Sequence, residues 1–188
     1  MVKQHSRRTH VVEDVVMVFR DKGYDGASLS DLSKAAGLSR ASLYHHFPGG
    51  KEDMGRAAMA QAGQKFAQLV ISPLSAALSP RDKWHAMADG MARFYKEGPL
   101  ACLTNTMTLG DGHALFRETI AQSLQALQAR AAQVLIEAGV PQEDARYFAE
   151  DAVITLHGAL VIGRVEDNVA VFDRAMDRLK SRFEEYVA

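Results

Sequence analysis

What this 188-residue chain lacks narrows it first. Aromatic residues make up 7% and there is one Trp, so strand formers are thin, while Ala, Leu, Gln, Arg and Met favour helix. A single cysteine, Cys102, excludes an internal disulfide framework and a Cys-based zinc cage, and suits a reducing cytoplasm. No stretch reaches the roughly 18 uncharged apolar residues of a membrane span; the best run, Ala152 to Gly163, is far shorter, so no membrane partner is expected. Near the N-terminus, Glu13 and Asp14 split Val11–Val12 from Val15–Phe19, which leaves no signal-peptide core. Charge of one sign is also missing: a net charge of −1 excludes a polybasic nucleic-acid coat. That average hides an asymmetry. Residues 1–51 carry 8 Lys and Arg against 5 Asp and Glu, and the remainder carries 14 against 18, so the N-terminal quarter is the basic end.

What is present repeats with a 3.6-residue period between clear stop signals. Val12, Val15, Val16 and Phe19 share one face of a helix over 6–22 that Gly23 stops. Ser28 with Asp31 is a capping-box variant opening a helix over 29–36, and Ser39 caps another over 40–47. After the turn Pro48-Gly49-Gly50, a long helix runs from Lys51 to Val70. Ser79-Pro80-x-Asp82 starts the next, which Gly98-Pro99 stops. A short helix near 101–109, a long one ended by Gly139, one over 142–165 and one capped by Asp167 or Asn168 complete an all-α reading of about nine helices.

Gly37-Leu38-Ser39 joins the two short capped helices as a helix-turn-helix. Gly37 supplies the left-handed conformation of the sharp turn, and Leu32, Ala35, Ala36, Leu38 and Leu43 are apolar where the helices must pack. The second helix then exposes Arg40, Ala41, Ser42, Tyr44 and His45, small or hydrogen-bonding groups that fit a major groove.

The run from Gly23 to Met54 resembles the DNA-binding head of the TetR family of bacterial transcriptional regulators. Its marks are Gly23, Ser28 with Asp31, Ala36-Gly37-Leu38-Ser39, Leu43-Tyr44-x-His46-Phe47 and Lys51-Glu52. The stretch Phe-Pro-Gly-Gly-Lys-Glu is similar to the LmrA/YxaF-like branch. The resemblance implies a helix-turn-helix DNA-binding domain over 1–50 (motif about 28–47), a connecting helix over 51–70, and a helical ligand-binding and dimerisation domain over 71–188. It also implies phosphate contacts at Ser28, Tyr44, His45 and Lys51. Lys51, at a helix N-terminus after two glycines, is placed for an anion, with a solvated lysine as the other reading. Tyr44 is otherwise a half-buried core aromatic. For base readout the choices are Arg40 and Ser42, with Ala41 available for a thymine methyl, and Arg40 as a plain surface charge is the alternative; Ser39, the helix cap, is also expected among the DNA-binding residues. Lys3, Arg7 and Arg8 lie either along the DNA or on a frayed, solvated arm.

Enzyme chemistry finds little support. Gly49-Gly50-Lys51 hints at a phosphate loop, but Glu52 stands where Ser or Thr should and His45 where the first glycine should. His45 and His46 point about 100° apart on a helix, unlike a chelating i, i+4 pair. His85, His113 and His157 are isolated, and Cys102 has no basic neighbour to activate it. No cofactor and no metal are expected.

In the second domain, Ala152, Leu156, Ala159 and Gly163 form a small-residue stripe, and Phe172, Met176 and Leu179 a second one on the last helix. Two such helices per chain make a four-helix dimer interface, as in the resembled family; ordinary intrachain packing is the alternative. Trp84, Met87, Met91 and Tyr95, with Met107, Phe116 and His157 in the bundle, are the expected lining of an apolar ligand pocket. The expected partners are therefore a palindromic double-stranded operator, a small effector and a second copy of the chain. The competing reading is an architectural DNA-binding protein without an effector. A cavity in the second domain separates the two, and a filled core favours the latter.

Overall fold

The computed structural model describes residues 2–96 and 102–187, with side chains from His10 to Tyr95 and from Cys102 to Val187. The Gly98-Pro99 stop and the side chains of Lys3, Arg7 and Arg8 lie outside the described residues. Among those described, nine α-helices and no strand are found: α1 (Val2–Gly26), α2 (Leu29–Ala35), α3 (Arg40–His46), α4 (Lys51–Phe66), α5 (Pro80–Lys96), α6 (Leu103–Thr106), α7 (Asp111–Glu137), α8 (Gln142–Val165) and α9 (Val169–Val187). The all-α expectation holds.

Gly23 interrupts α1 as its position suggested: it adopts φ 69° and ψ −177° inside the helix span. The helix expected to reach Val70 ends earlier. After Phe66 the helix widens into a π-helical turn, Ala67–Ile71, and then narrows into a 3₁₀ turn, Ser72–Ser75. Asn168 is the residue that caps α9, its side-chain oxygen accepting from the Ala170 N–H at 3.1 Å.

The chain divides into two compact units. The first comprises residues 1–64 and 102–120. Within it α1 packs on α2 and α6, and α2 on α3. Val12, Val15, Val16 and Phe19 are buried as their spacing predicts, with Leu32, Leu43, Phe47, Met54 and Ala58. The second unit comprises 65–101 and 121–188. There α5 packs on the π and 3₁₀ turns and on α9, and α9 on α8. The Trp84 ring stacks on Phe183 at a centroid distance of 5.4 Å and meets Phe148 at a tilt at 5.3 Å. Its indole N–H donates to the Leu179 carbonyl at 2.9 Å, so the one polar atom of this buried side chain is satisfied. Residues 102–120 group with the N-terminal helices, a division that differs from a simple cut near residue 50 or 70.

Candidate nucleic-acid interface

Two side-chain caps fix the helix-turn-helix. The Asp31 N–H donates to Ser28 Oγ and the Ser28 N–H to Asp31 Oδ2, both at 3.1 Å, which satisfies two otherwise orphaned donors at the start of α2. Lys22 Nζ reaches the other Asp31 oxygen at 2.6 Å. The Lys22 ammonium and the Ser28 donors together hold the Asp31 carboxyl far below the usual carboxylate range. At α3, the Ser42 N–H donates to Ser39 Oγ at 3.1 Å, and the two hydroxyls lie 2.9 Å apart. Gly37 takes φ 59° in the turn, and the Ser33 hydroxyl donates to the Leu38 carbonyl across it.

Leu32 and Leu43 are buried between the helices, while Ala36 and Leu38 are half-buried. Ala35 is exposed, so it does not belong to the packing set expected from its apolar character. It falls on the solvent side of the α2 turn. Arg40, Ala41, Tyr44 and His45 are exposed and Ser42 half-buried, leaving the expected reading face available. A depression of about 440 Å³ runs along it, lined by Leu38, Ala41, Ser42, His45 and His46.

The loop after α3 sets where α4 begins. The Gly49 N–H donates to Asp53 Oδ2 at 2.6 Å, a cap across the first turn of α4. Gly50 has φ 68°, and a Cβ there would approach Tyr44 Cε1 to 3.2 Å. The Tyr44 ring therefore leans against a backbone that needs glycine. Lys51, the first residue of α4, is half-buried. Its ammonium donates to the Asp25 carbonyl at 3.4 Å and stands 4.7 Å from the Tyr24 ring centroid.

Sequence reasoning missed Lys22, Tyr24, Asp25, Ser33 and Asp53. Gly49 followed by an acid four residues later was a readable cap signal for Asp53. The Lys22–Asp31 pair and the approach of Lys51 to Tyr24 and Asp25 depend on how α1 meets α2 and α4, which no local spacing encodes.

The residues expected to line a ligand pocket are divided between the two compact units. Trp84, Met87, Met91 and Tyr95 are buried in the second unit, and the Trp84 ring packs against Phe148 and Phe183. His157 is half-buried there, and burial lowers its pKa. Met107 and Phe116 are buried in the first unit, both close to Gly55. None of the seven lines the open groove of about 740 Å³ between α7 and α8, whose walls include Gln125, Gln128, Arg146 and Tyr147.

The expected dimer stripe is likewise occupied. Ala152, Leu156, Ala159 and Gly163 of α8 are buried within their own chain, as are Phe172, Met176 and Leu179 of α9. α8 packs on α9, so the burial of both stripes fits the alternative of intrachain packing. What α8 leaves open is its opposite side, where Tyr147 is 63%, Ile154 61% and Val165 78% exposed.

Among the described residues, no group of three or more His, Cys, Asp or Glu could hold a metal ion, and no helix is long and apolar enough to cross a membrane. Cys102 is buried at the start of α6.

A capped helix-turn-helix in an all-helical chain defines a class, the helix-turn-helix transcriptional regulators. Residues 15–58 match the bacterial regulatory proteins of the tetR family, and residues 80–178 match the C-terminal domain of LmrA/YxaF-like transcriptional regulators. The second match spans more than half of the chain, which belongs to the TetR family, in its LmrA/YxaF-like branch. An uncharacterised HTH-type transcriptional regulator of Mycobacterium tuberculosis is 24% identical over 187 residues, covering 93% of this chain and 92% of that one. The HTH-type transcriptional regulator LmrA of Bacillus subtilis is 30% identical over 95 residues, 50% of this chain and 46% of its own. Among solved structures, a TetR transcriptional regulator from Chloroflexus aurantiacus superposes with a TM-score of 0.78 at 25% identity over 96% of each chain. One from Legionella pneumophila does so with a TM-score of 0.78 at 19% identity, over 92% and 95% of the two chains, a likeness of fold. The family comprises DNA-binding transcriptional regulators, not enzymes.

Proposed function

We propose that the chain is a repressor that binds a palindromic operator as a homodimer and releases it when a small, mostly apolar ligand binds. The observation that carries the reading is the exposed α3 face held by the Ser39 cap, with Lys51 at the start of α4 in the same compact unit. In this reading Arg40 and Ser42 meet base edges and Ala41 a thymine methyl. Ser28, Ser39, Tyr44, His45 and Lys51 hold phosphates and sugars, which set register and orientation.

One head covers one half-site, so a palindrome calls for two. The dimer surface proposed is the outward side of α8. Tyr147, Asp151, Ile154, Gly158, Val161 and Val165 recur there at alternating spacings of four and three, the seam of two helices packing side by side. Gly158 has nothing within 4 Å of its missing Cβ, which leaves room for a second backbone to come close. Charged Asp151 on that seam is paired with Arg182 of its own chain.

For the effector, Met87, Met91 and Tyr95 offer apolar surface, and a His157 kept neutral by burial carries no charge to attract an anion. Both favour an uncharged aromatic or lipophilic ligand. The filled packing around Trp84 favours the second reading, an architectural DNA-binding protein without an effector. A thermal-shift screen of lipophilic compounds followed by calorimetric titration with and without operator separates the two. A coupling of about 1–3 kcal/mol makes ligand affinity 5–150-fold weaker on the operator complex. Equal affinities contradict induced release.

A further inference from the structure

Lys51 is engaged before any DNA arrives. A lysine ammonium has three N–H donors. One reaches the Asp25 carbonyl at 3.4 Å, and the charge sits 4.7 Å from the Tyr24 ring centroid, within range of the electron-rich face. At least one donor remains for a phosphate oxygen. An unrestrained lysine has four rotatable bonds whose freedom is lost on gripping a phosphate. Here the ring and the carbonyl have already removed much of it.

The ring is itself held. It stacks on Phe19 at 6.0 Å and meets the edge of Phe116 at 5.3 Å. A methyl on Gly55 would come within 3.4 Å of Tyr24 Cε2 and 2.7 Å of Phe116 Cζ, so the aromatic pair occupies the space that this glycine leaves. The preceding Gly23 turns the backbone at φ 69°, where a Cβ would stand 2.7 Å from the Thr106 carbonyl oxygen. The Thr106 hydroxyl donates to the Phe19 carbonyl at 3.1 Å. Burial, with the nearby Glu52 and Asp25 carboxylates, raises the phenol pKa of Tyr24, so the ring keeps its proton.

We infer that Tyr24 is the positioning residue for the Lys51–phosphate contact, a reading that rests on the operator binding proposed above. Because the ring leans on Phe116 of α7, a shift of the α7 N-terminus that moves Phe116 also moves the ring and the lysine it orients. Operator affinity is thereby exposed to the state of α7 through a residue that touches no DNA.

The test uses the full chain, a duplex selected for binding, and the slope of log affinity against log salt. Each lysine–phosphate contact contributes about 0.9 to that slope, so Lys51→Ala in both heads removes about 1.8. Tyr24→Leu is expected to remove the same amount, with no further loss when Lys51→Ala is added, and Tyr24→Phe to retain the wild-type slope. A residue serving the core alone would lower thermal stability and leave the slope intact. A wild-type slope in folded Tyr24→Leu, or tighter binding, overturns the inference while operator binding stands. A wild-type chain that binds no duplex overturns both. Should Tyr24→Leu fail to fold, lysine-selective NMR labelling of the wild type decides. Lys51 side-chain protons shifted upfield by the ring are expected, and ordinary lysine shifts overturn the placement.

Discussion

The carboxylate of Asp25, in the last turn of α1, accepts a hydrogen bond from the Asp111 backbone N–H at 3.0 Å and so caps the first turn of α7. Gly110 makes this possible. At φ 55° it tolerates the left-handed turn, and a Cβ on it would lie 1.7 Å from Asp25 Oδ2. Gly110→Ala is expected to push Asp25 aside, combining backbone strain with loss of a cap for about 1–2 kcal/mol of stability. Urea unfolding measures it, and an unchanged midpoint contradicts the capping role.

Two helix glycines should respond with opposite sign. A Cβ on Gly90 of α5 would stand 1.9 Å from the Leu69 carbonyl oxygen in the π-helical turn, whereas one on Gly63 of α4 meets nothing within 4 Å. Gly90→Ala should destabilise by about 1–3 kcal/mol through overpacking against backbone that cannot yield. Gly63→Ala should stabilise by about 0.4–1 kcal/mol by restricting the unfolded chain. Thermal unfolding of the two variants checks the signs.

Those glycines show where the sequence is readable and where it is not. The caps at Ser28, Ser39, Ser79 and Asn168 involve partners two or three residues away, so the helix starts they mark could be read from local spacing. The π-helical turn after Phe66 carried no such signal, because what it accommodates is the close approach of Gly90, two dozen residues on. On α8, apolar and small residues line two sides, and periodicity cannot say which side the chain covers itself. The Ala152–Gly163 stripe packs within the chain, while the Tyr147–Val165 side stays open. Met107 packs near Gly55 in the first compact unit, where α6 contacts α1, more than seventy residues earlier, a pairing that no local spacing encodes.

The two sides of α8 should separate in solution. Ile154→Asp puts a charge on the open seam and is expected to yield a folded monomer by light scattering at micromolar concentration. Leu156→Ala on the buried side should instead lower stability by about 2–5 kcal/mol. A dimeric Ile154→Asp chain contradicts the proposed seam.

Acid should weaken the head through Asp31. Its folded pKa is depressed by Lys22 and the Ser28 donors, so its contribution is fully present above the unfolded carboxylate value of about 4 and lost as pH falls through the lower folded value. Asp31→Asn is expected to lower stability at pH 7 and to flatten the acid limb of the stability curve below about pH 4. An acid limb as steep as that of the wild type assigns the loss to other carboxylates.

Selection of bound duplexes from a random pool, run in parallel on the wild type and on Arg40→Ala, tests the central claim that the α3 face reads an operator. The wild type is expected to enrich one palindromic motif with half-site centres roughly 34–36 Å apart. Arg40→Ala is expected to relax one base pair in each half-site, with a loss of about 1–3 kcal/mol on the best sequence. No enriched motif for the wild type, or an unchanged motif for Arg40→Ala, contradicts it.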